Sequence, residues 1–262
     1  MRLLFVADVF ARPGRRAAAF HIPRLIQERG VDFCVVNGEN AAGGFGLTAN
    51  IARKLRSYGA DVVTTGNHVW DQPEFAAHLQ RADDVLRPLN FPPGAPGRGA
   101  GVFRARDGSA VGVLNLQGRT SLASIDCPFR AADEAVETLK KECSVVFVDF
   151  HAEATAEKAA LAWHLDGRVS ALIGTHTHVQ TADERVMPGG TAFLSDAGMT
   201  GPRDSVIGIR PPIAIERFLS QRPMRFKPAE GPARLCGALV DIDPATGRAE
   251  AIERLQLDHD ET

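Results

Sequence analysis

Residues 145–178 read VVFVDFHAEATAEKAALAWHLDGRVSALIGTHTH, and the order of residue types within them sets the architecture. The apolar run 145–150 predicts a buried strand, and His151 follows it at once. Residues 155–165 predict a helix and 171–173 a second strand, followed by His176 and His178. Strand, helix, strand is the repeating unit of an α/β protein. Outward from this unit, further strands are predicted over 3–7, 33–37, 62–65, 111–116 and 192–195. Helices are predicted over 14–29, over 48–58 with Thr48 as N-cap, and over 129–140. Two segments break the rhythm and predict antiparallel hairpins: 103–116, turning at Asp107-Gly108, and 235–252, turning near 244–247. The Pro- and Gly-rich stretch 87–101 (RPLNFPPGAPGRGAG) reads as a surface loop, because the alternation continues beyond it without a change of composition. All of 1–262 therefore reads as a single domain.

Thirty Lys and Arg against 32 Asp and Glu leave a net charge of −2, which provides no basic field for duplex nucleic acid or an anionic membrane. Any phosphate ligand must be captured locally. The longest apolar stretches, 3–7 and 145–148, fall far short of the roughly 20 residues of a membrane span. The opening segment meets Asp8 before it reaches the length of a signal peptide, so a soluble, cytoplasmic protein is expected. Cys34, Cys127, Cys143 and Cys236 form no CxxC pair and read as reduced thiols rather than a zinc site or disulfide framework.

The chemistry lies at the strand ends. Ligand-type residues follow the C-terminal ends of five predicted strands: Asp8, then Glu39 and Asn40, then Asn67 and His68, then His151, then His176 and His178. That is where open α/β sheets build their sites. Any one of them alone reads as a cap, a turn former or a hydrogen-bonded structural histidine. Together they point to one site. Imidazole, carboxylate and amide in one set suit iron, manganese or zinc better than Mg²⁺ or Ca²⁺. The set exceeds the needs of one ion, and a carboxylate such as Glu39 can bridge two ions about 3.5–4 Å apart, which predicts a dinuclear centre. If His176-Thr177-His178 is extended, both rings point to the same side, one for each metal. Gly38, Gly66 and Gly174 read as turn residues that expose the side chain after them. Trp70 and Phe45 flank these motifs, as core or rim packing or as platforms for a base. The Gly43-Gly44-Phe45-Gly46 run matches no phosphate-loop pattern and reads as a loop beside the site. Arg119, Arg203 and Arg210 read as solvated or fold-stabilising arginines, with phosphate binding as the alternative.

At these residues the chain resembles the calcineurin-like metallophosphoesterases, whose motifs appear here as Asp8, Gly38-Glu39-Asn40, Gly66-Asn67-His68, His151 and Gly174-Thr175-His176-Thr177-His178. NGENAAGGFGLT (37–48), GNHVWDQ (66–72), RPLNFPPG (87–94), NLQGR (115–119), DFHAEATAEKAALAWHLDGRVSA (149–171), GTHTHVQTADERVMPGGTAF (174–193) and SDAGMTGPRDSVIG (195–208) resemble the YmdB-type branch more narrowly. Two departures from the wider superfamily stand out: Phe10 occupies the place of a metal-binding histidine, and Glu39 replaces the bridging Asp. The resemblance implies a four-layer α/β/β/α sandwich with two mixed β-sheets. It implies that Asp8, Glu39, Asn40 and His178 hold one ion and Glu39, Asn67, His151 and His176 the other, with Asn40 filling the place of the missing histidine.

Two cations sharing Glu39 would lower the pKa of a bridging water, and the resulting hydroxide would attack phosphorus in line. His68 is not needed as a ligand and is the candidate to protonate the leaving oxygen, a role the resemblance also implies. The resemblance implies a phosphodiesterase for small 2′,3′-cyclic nucleotides, with iron as the native metal and manganese or zinc as alternatives. The competing readings are a phosphomonoesterase or nucleotidase with the same two metals, and a nucleotide-sensing protein with slow turnover. A homo-oligomer is the expected state, with a small phosphodiester or nucleotide as its partner and neither duplex nucleic acid nor membrane.

Overall fold

The computed structural model describes residues 1–260. The first sheet begins with four parallel strands, β1 (Arg2–Val6), β2 (Phe33–Asn37), β3 (Val62–Thr64) and β4 (Val85–Leu86). The second contains β5 (Ala100–Arg104), β6 (Ala110–Gln117), β7 (Val145–His151), β8 (Ala171–Thr175), β9 (Arg185–Val186) and β10 (Ala192–Leu194), in the order β5-β6-β7-β8-β10-β9. The chain then returns to the first sheet through β11 (Gly201–Pro202), β12 (Ala233–Ile242) and β13 (Ala249–His259), with β12 antiparallel to β1, β11 and β13. Both sheets are therefore mixed, as the resemblance implied.

The side-chain pattern explains the layering. In β1, Leu3 and Phe5 face the second sheet while Leu4 and Val6 face the helices; in β2, Phe33 and Val35 face inward and Cys34 and Val36 outward. Strands covered on both sides carry unbroken apolar runs instead of alternation, which is why these segments are legible as buried strands. Helices α1 (Ala11–Arg29), α2 (Ala49–Ser57) and α3 (Phe75–Leu79) cover the first sheet. Helices α4 (Pro128–Leu139) and α5 (Thr155–Leu165) cover the second, and Phe5 and Phe147 meet at 5.1 Å between the sheets. The result is the four-layer α/β/β/α sandwich. A separate small cluster of Phe10, Ala11, Met199, Ile209 and Ala214 seats α6 (Pro211–Ser220).

Thr48 caps α2 by accepting from the Ile51 amide, as read from the sequence. Both hairpins are present, with Gly108 and Gly247 at positive φ in their turns. The second is longer than expected, since β13 runs to His259. Helix α1 starts at Ala11, ahead of the expected residue 14. Helices α3 and α6 and the two-residue strands β4, β9 and β11 were not anticipated. The 87–101 stretch is more than a surface loop. The buried guanidinium of Arg87 donates to the carbonyls of Pro88, Ala95 and Pro96, and the chain wraps around it. Cys34, Cys143 and Cys236 are buried free thiols, and Cys127 is half-buried. Among the described residues, no helix is long and apolar enough to cross a membrane.

Candidate active site

The C-terminal ends of β1, β2 and β3 from one sheet and of β7 and β8 from the other open onto one depression, where the predicted residues meet. His151, fully buried at the end of β7, is the hub. Its Nε2 lies 2.9 Å from Glu39 Oε1, 2.9 Å from Asn67 Oδ1 and 3.0 Å from His176 Nδ1. The neighbouring hydrogen bonds fix where the protons are. Thr175 gives its hydroxyl proton to Asp149 Oδ1 at 2.8 Å, so across the 2.9 Å to His151 Nδ1 it can only accept. With Nδ1 donating to Thr175, the neutral form of His151 offers a lone pair at Nε2, the form that a bound cation would select. His176 directs Nε2 to Glu153 at 3.1 Å, which leaves the lone pair of Nδ1 for the centre. Four acceptor atoms converge on one point, and either a proton on His151 Nε2 or a cation relieves them.

The second half follows the same logic. His178 Nδ1 donates to the Ile207 carbonyl at 3.0 Å, so Nε2 faces Asn40 Oδ1 at 3.2 Å and Asp8 Oδ2 at 3.6 Å as a third acceptor. The amide of Asn40 is oriented by its donation to the Gly44 carbonyl. Asp8 Oδ2 accepts from the His176 amide, while its buried Oδ1 has no hydrogen-bond partner among the described residues. A buried carboxylate oxygen without a donor is costly, and a metal ion would satisfy it. The donor set and the orphaned oxygen both fit the transition ions inferred from the sequence.

Burial and neighbouring charge shape the ionisation of these groups. Burial opposes charge on His151, but Glu39 outweighs it and raises the imidazole to about 9. Glu39, buried as well, is held at about 2, chiefly by His151. Burial, with His151 beside it, drives His176 down to about 3, and burial also lowers His178, so both stay neutral as ligands require. Burial pushes Asp8 well above the usual carboxylate range.

Two expectations need correction. His176 and His178 both adopt positive φ, 106° and 65°, so the His-x-His segment is a strained turn and not an extended strand. The two rings still reach different halves of the site. The glycines Gly38, Gly66 and Gly174 serve space and not turn geometry, for none of the three has positive φ. A Cβ on Gly66 would fall 2.2 Å from Glu39 Oε2 and 2.4 Å from the His151 ring, and one on Gly174 would fall 1.9 Å from the Ser195 carbonyl. Around Gly38 the contacts are looser, at 3.0 Å or more. Trp70 packs edge-on against Phe91, the first of the two roles read for it in the sequence. Arg119 bonds to Cys127, Arg203 pairs with Asp258 and Arg210 with Glu230, so these three are tied into the fold, in keeping with the reading from the sequence.

His68 stands at the rim, where its Nδ1 lies 2.8 Å from Asp71 Oδ2 and its backbone amide donates to Glu39 Oε2. Sequence reasoning missed Asp71, Glu153 and the chain behind His151, in which Asp149 also accepts from Asn37 and Thr64. Asp149 sat in plain view as the one charged residue inside an apolar strand. Phe10 is held edge-on to His178 at 5.6 Å, and its ring fills the space where Cβ atoms on Gly44 and Gly208 would stand. In front of the polar residues lies a cavity of about 550 Å³, closed on its far side by Phe45, Phe226 and one face of α6.

Two stacked mixed sheets with acids, amides and imidazoles gathered at their shared strand ends define a protein of the metallophosphoesterase fold. The chain belongs to the YmdB-like protein family, whose model matches residues 4–255. It is 46% identical over 260 residues, covering 99% of this chain and 98% of the relative, to the 2′,3′-cyclic-nucleotide 2′-phosphodiesterase of Bacillus subtilis. A crystal structure of a Thermus thermophilus protein superposes with a TM-score of 0.92 at 43% identity, over 98% of this chain and 99% of that one. A Mycoplasma pneumoniae structure described as a novel phosphatase also gives 0.92, at 32% identity over 100% of this chain and 94% of that one.

Proposed function

We propose that this protein is a metal-dependent phosphodiesterase that hydrolyses small cyclic phosphodiesters of the 2′,3′-cyclic nucleotide type. The observation that carries the reading is the convergence of acceptor atoms around His151 Nε2 and His178 Nε2, beside an orphaned Asp8 oxygen and at the mouth of a cavity. In this reading Asp8, Glu39, Asn40 and His178 hold one ion and Glu39, Asn67, His151 and His176 the other, within one domain. Bound there, two transition ions, iron first and manganese or zinc as alternatives, would lower the pKa of water at the site and offset charge developing on phosphorus oxygens. Glu153 and Thr175 orient the ligand imidazoles, and Asp149 holds Thr175 in its accepting role. His68, steadied at Nδ1 by Asp71, has Nε2 left to give a proton to the departing ribose oxygen. The product is then a ribonucleoside monophosphate.

The deciding experiment compares turnover of 2′,3′-cyclic AMP with that of a matched monoester by protein of known metal content, with His151→Ala as control. Turnover of the cyclic diester that follows metal content and disappears in the control supports the proposal. Faster turnover of the monoester favours a phosphatase, the description borne by the Mycoplasma pneumoniae relative. His68→Ala should keep its metals and lose about 10²- to 10⁴-fold in kcat, the usual share of a general acid. Full activity in that variant removes His68 from the mechanism.

A further inference from the structure

The cavity has two unlike ends. One is the polar cluster, and the other is built by Phe45 from the loop before α2, Phe226 from the segment after α6, and Phe218 and Arg217 on α6 itself. The rings of Phe45 and Phe226 come from distant parts of the chain and lie nearly parallel, 14° apart with centroids separated by 6.4 Å. They run nearly parallel along one wall of the cavity. Phe45 also meets His68 edge-on at 5.1 Å, so the aromatic wall begins at the residue assigned to the leaving oxygen. Phe218 lines the same cavity yet is 74% exposed, and Ile207 at its edge is 52% exposed. Apolar surface left open inside a concave site marks the place where a ligand makes its cover. The Arg217 guanidinium lies over the Phe226 ring at 4.6 Å, which thickens the platform and keeps N–H donors beside it.

We propose that Phe45, Phe218 and Phe226, with Arg217, bind the nucleobase of the substrate and so select nucleotide diesters over diesters that lack a base. The inference rests on the phosphodiesterase reading above and adds the determinant of substrate class. A base stacked on Phe45 places its ribose next to His68 and the cyclic phosphate over the polar cluster, which matches the order of groups in a 2′,3′-cyclic nucleotide. Stacking on aromatic side chains accepts any base, so the wall discriminates base from no base more than one base from another.

The test measures kcat and KM for 2′,3′-cyclic AMP and for glycerol 1,2-cyclic phosphate, which carries the same reacting group without a base. In Phe226→Ala, the ratio of kcat/KM for the nucleotide to that for the glycerol diester should fall about 10- to 100-fold, the usual worth of one stacking contact, and the loss should appear in KM. Phe226→Trp should restore the ratio. A general loss of folding or metal would lower both substrates together, and an unchanged ratio overturns the proposal. A second measurement is calorimetric binding of adenosine 3′-monophosphate and of inorganic phosphate to the metal-loaded protein. If neither diester turns over, the catalytic reading fails while this binding still decides the base site. Tighter binding of the nucleotide that weakens in Phe226→Ala upholds the site, and equal binding of the two overturns it.

Discussion

The two halves of the polar cluster are held by different kinds of structure. The His151 half stands on the ends of β7 and β8, and a buried chain runs behind it from His151 through Thr175 to Asp149 and on to Asn37 and Thr64. That chain crosses both sheets, so the core fixes the imidazole. The His178 half is held by loops. Its braces are the carbonyls of Ile207 and Gly44, and the loops that supply them also wall the cavity. A site fixed by strands is pre-organised before any ligand arrives, whereas one fixed by loops moves with the ligand-binding wall. In the two-metal reading proposed above, the first half should therefore keep its ion more firmly than the second.

Gly66→Ala should have the largest effect, because its Cβ would strike ligands on the firm side. Glu39 Oε2 and His151 must both yield to an atom 2.2–2.4 Å away. Displacements of that size cost about 10²-fold or more in turnover, and metal content should fall with them. A variant that binds two metals and turns over normally would show the His151 half to be far softer than its hydrogen bonds imply.

Asp149→Asn tests the buried chain without touching a ligand. The amide accepts less well from Thr175, so the proton on His151 Nδ1 is less well fixed. Outer partners of this kind typically contribute about 10- to 100-fold to metal affinity. The loss should fall on one ion alone, with the His178 half unchanged in a stepwise chelator titration. Equal weakening of both ions would mean that the halves are coupled through Glu39 more tightly than each is braced.

The pH dependence of the metal-free protein gives a smaller signal. There, the positive charge beside Glu39 is a proton on His151. Burial resists it, but Glu39 raises His151 from 6.5 to about 9. The stability it contributes is complete below pH 6.5 and is lost as pH climbs through about 9. Glu39, lowered from 4.5 to about 2, contributes above pH 4.5 and loses its share as pH falls through about 2. Metal-free protein should therefore lose Tm between pH 6.5 and 9. Loaded protein should not, since its ligands are already deprotonated. Thermal scans with and without chelator should diverge as pH rises, and parallel curves would remove the exchange of proton for metal.

The polar residues of both halves were legible in the sequence, and what braces them was not. Apolar strands buried on both faces announce themselves as unbroken runs, and the ligand at the end of each run shows where the strand stops. His151, Glu39, Asn67 and Asp8 could be placed on that basis. The braces could not, because Asp149, Thr175, Asn37 and Thr64 are ordinary residues until the two sheets are stacked. The loop side was harder still. Helix α6 is short, opens on Pro211-Pro212 and leaves Ile215, Phe218 and Leu219 exposed, so its apolar residues do not announce a core contact. The same open face makes the cavity wall, and hence the aromatic platform was only half visible, in Phe45 alone. Gly66 looked like a turn residue because sequence carries no distances.

The smallest effect bears on the soft half. Ile207 is a β-branched residue held at φ 46°, where L side chains are strained, and its carbonyl is the brace for His178. Such strain costs on the order of 1–3 kcal/mol and persists where the surroundings enforce it. Ile207→Gly removes the clash but gives the unfolded chain more freedom, which offsets part of the gain. The side chain is half-exposed, so little packing is lost with it. The net expectation is a gain of no more than about 1 kcal/mol in unfolding free energy, with a slightly weaker hold on the ion next to His178. Denaturant unfolding and a chelator titration on the same variant read the two quantities separately. A gain in stability together with weaker binding would show that the strain is retained for the site. A loss of stability would instead make Ile207 a packing residue, and the brace on His178 would be firmer than a loop alone provides.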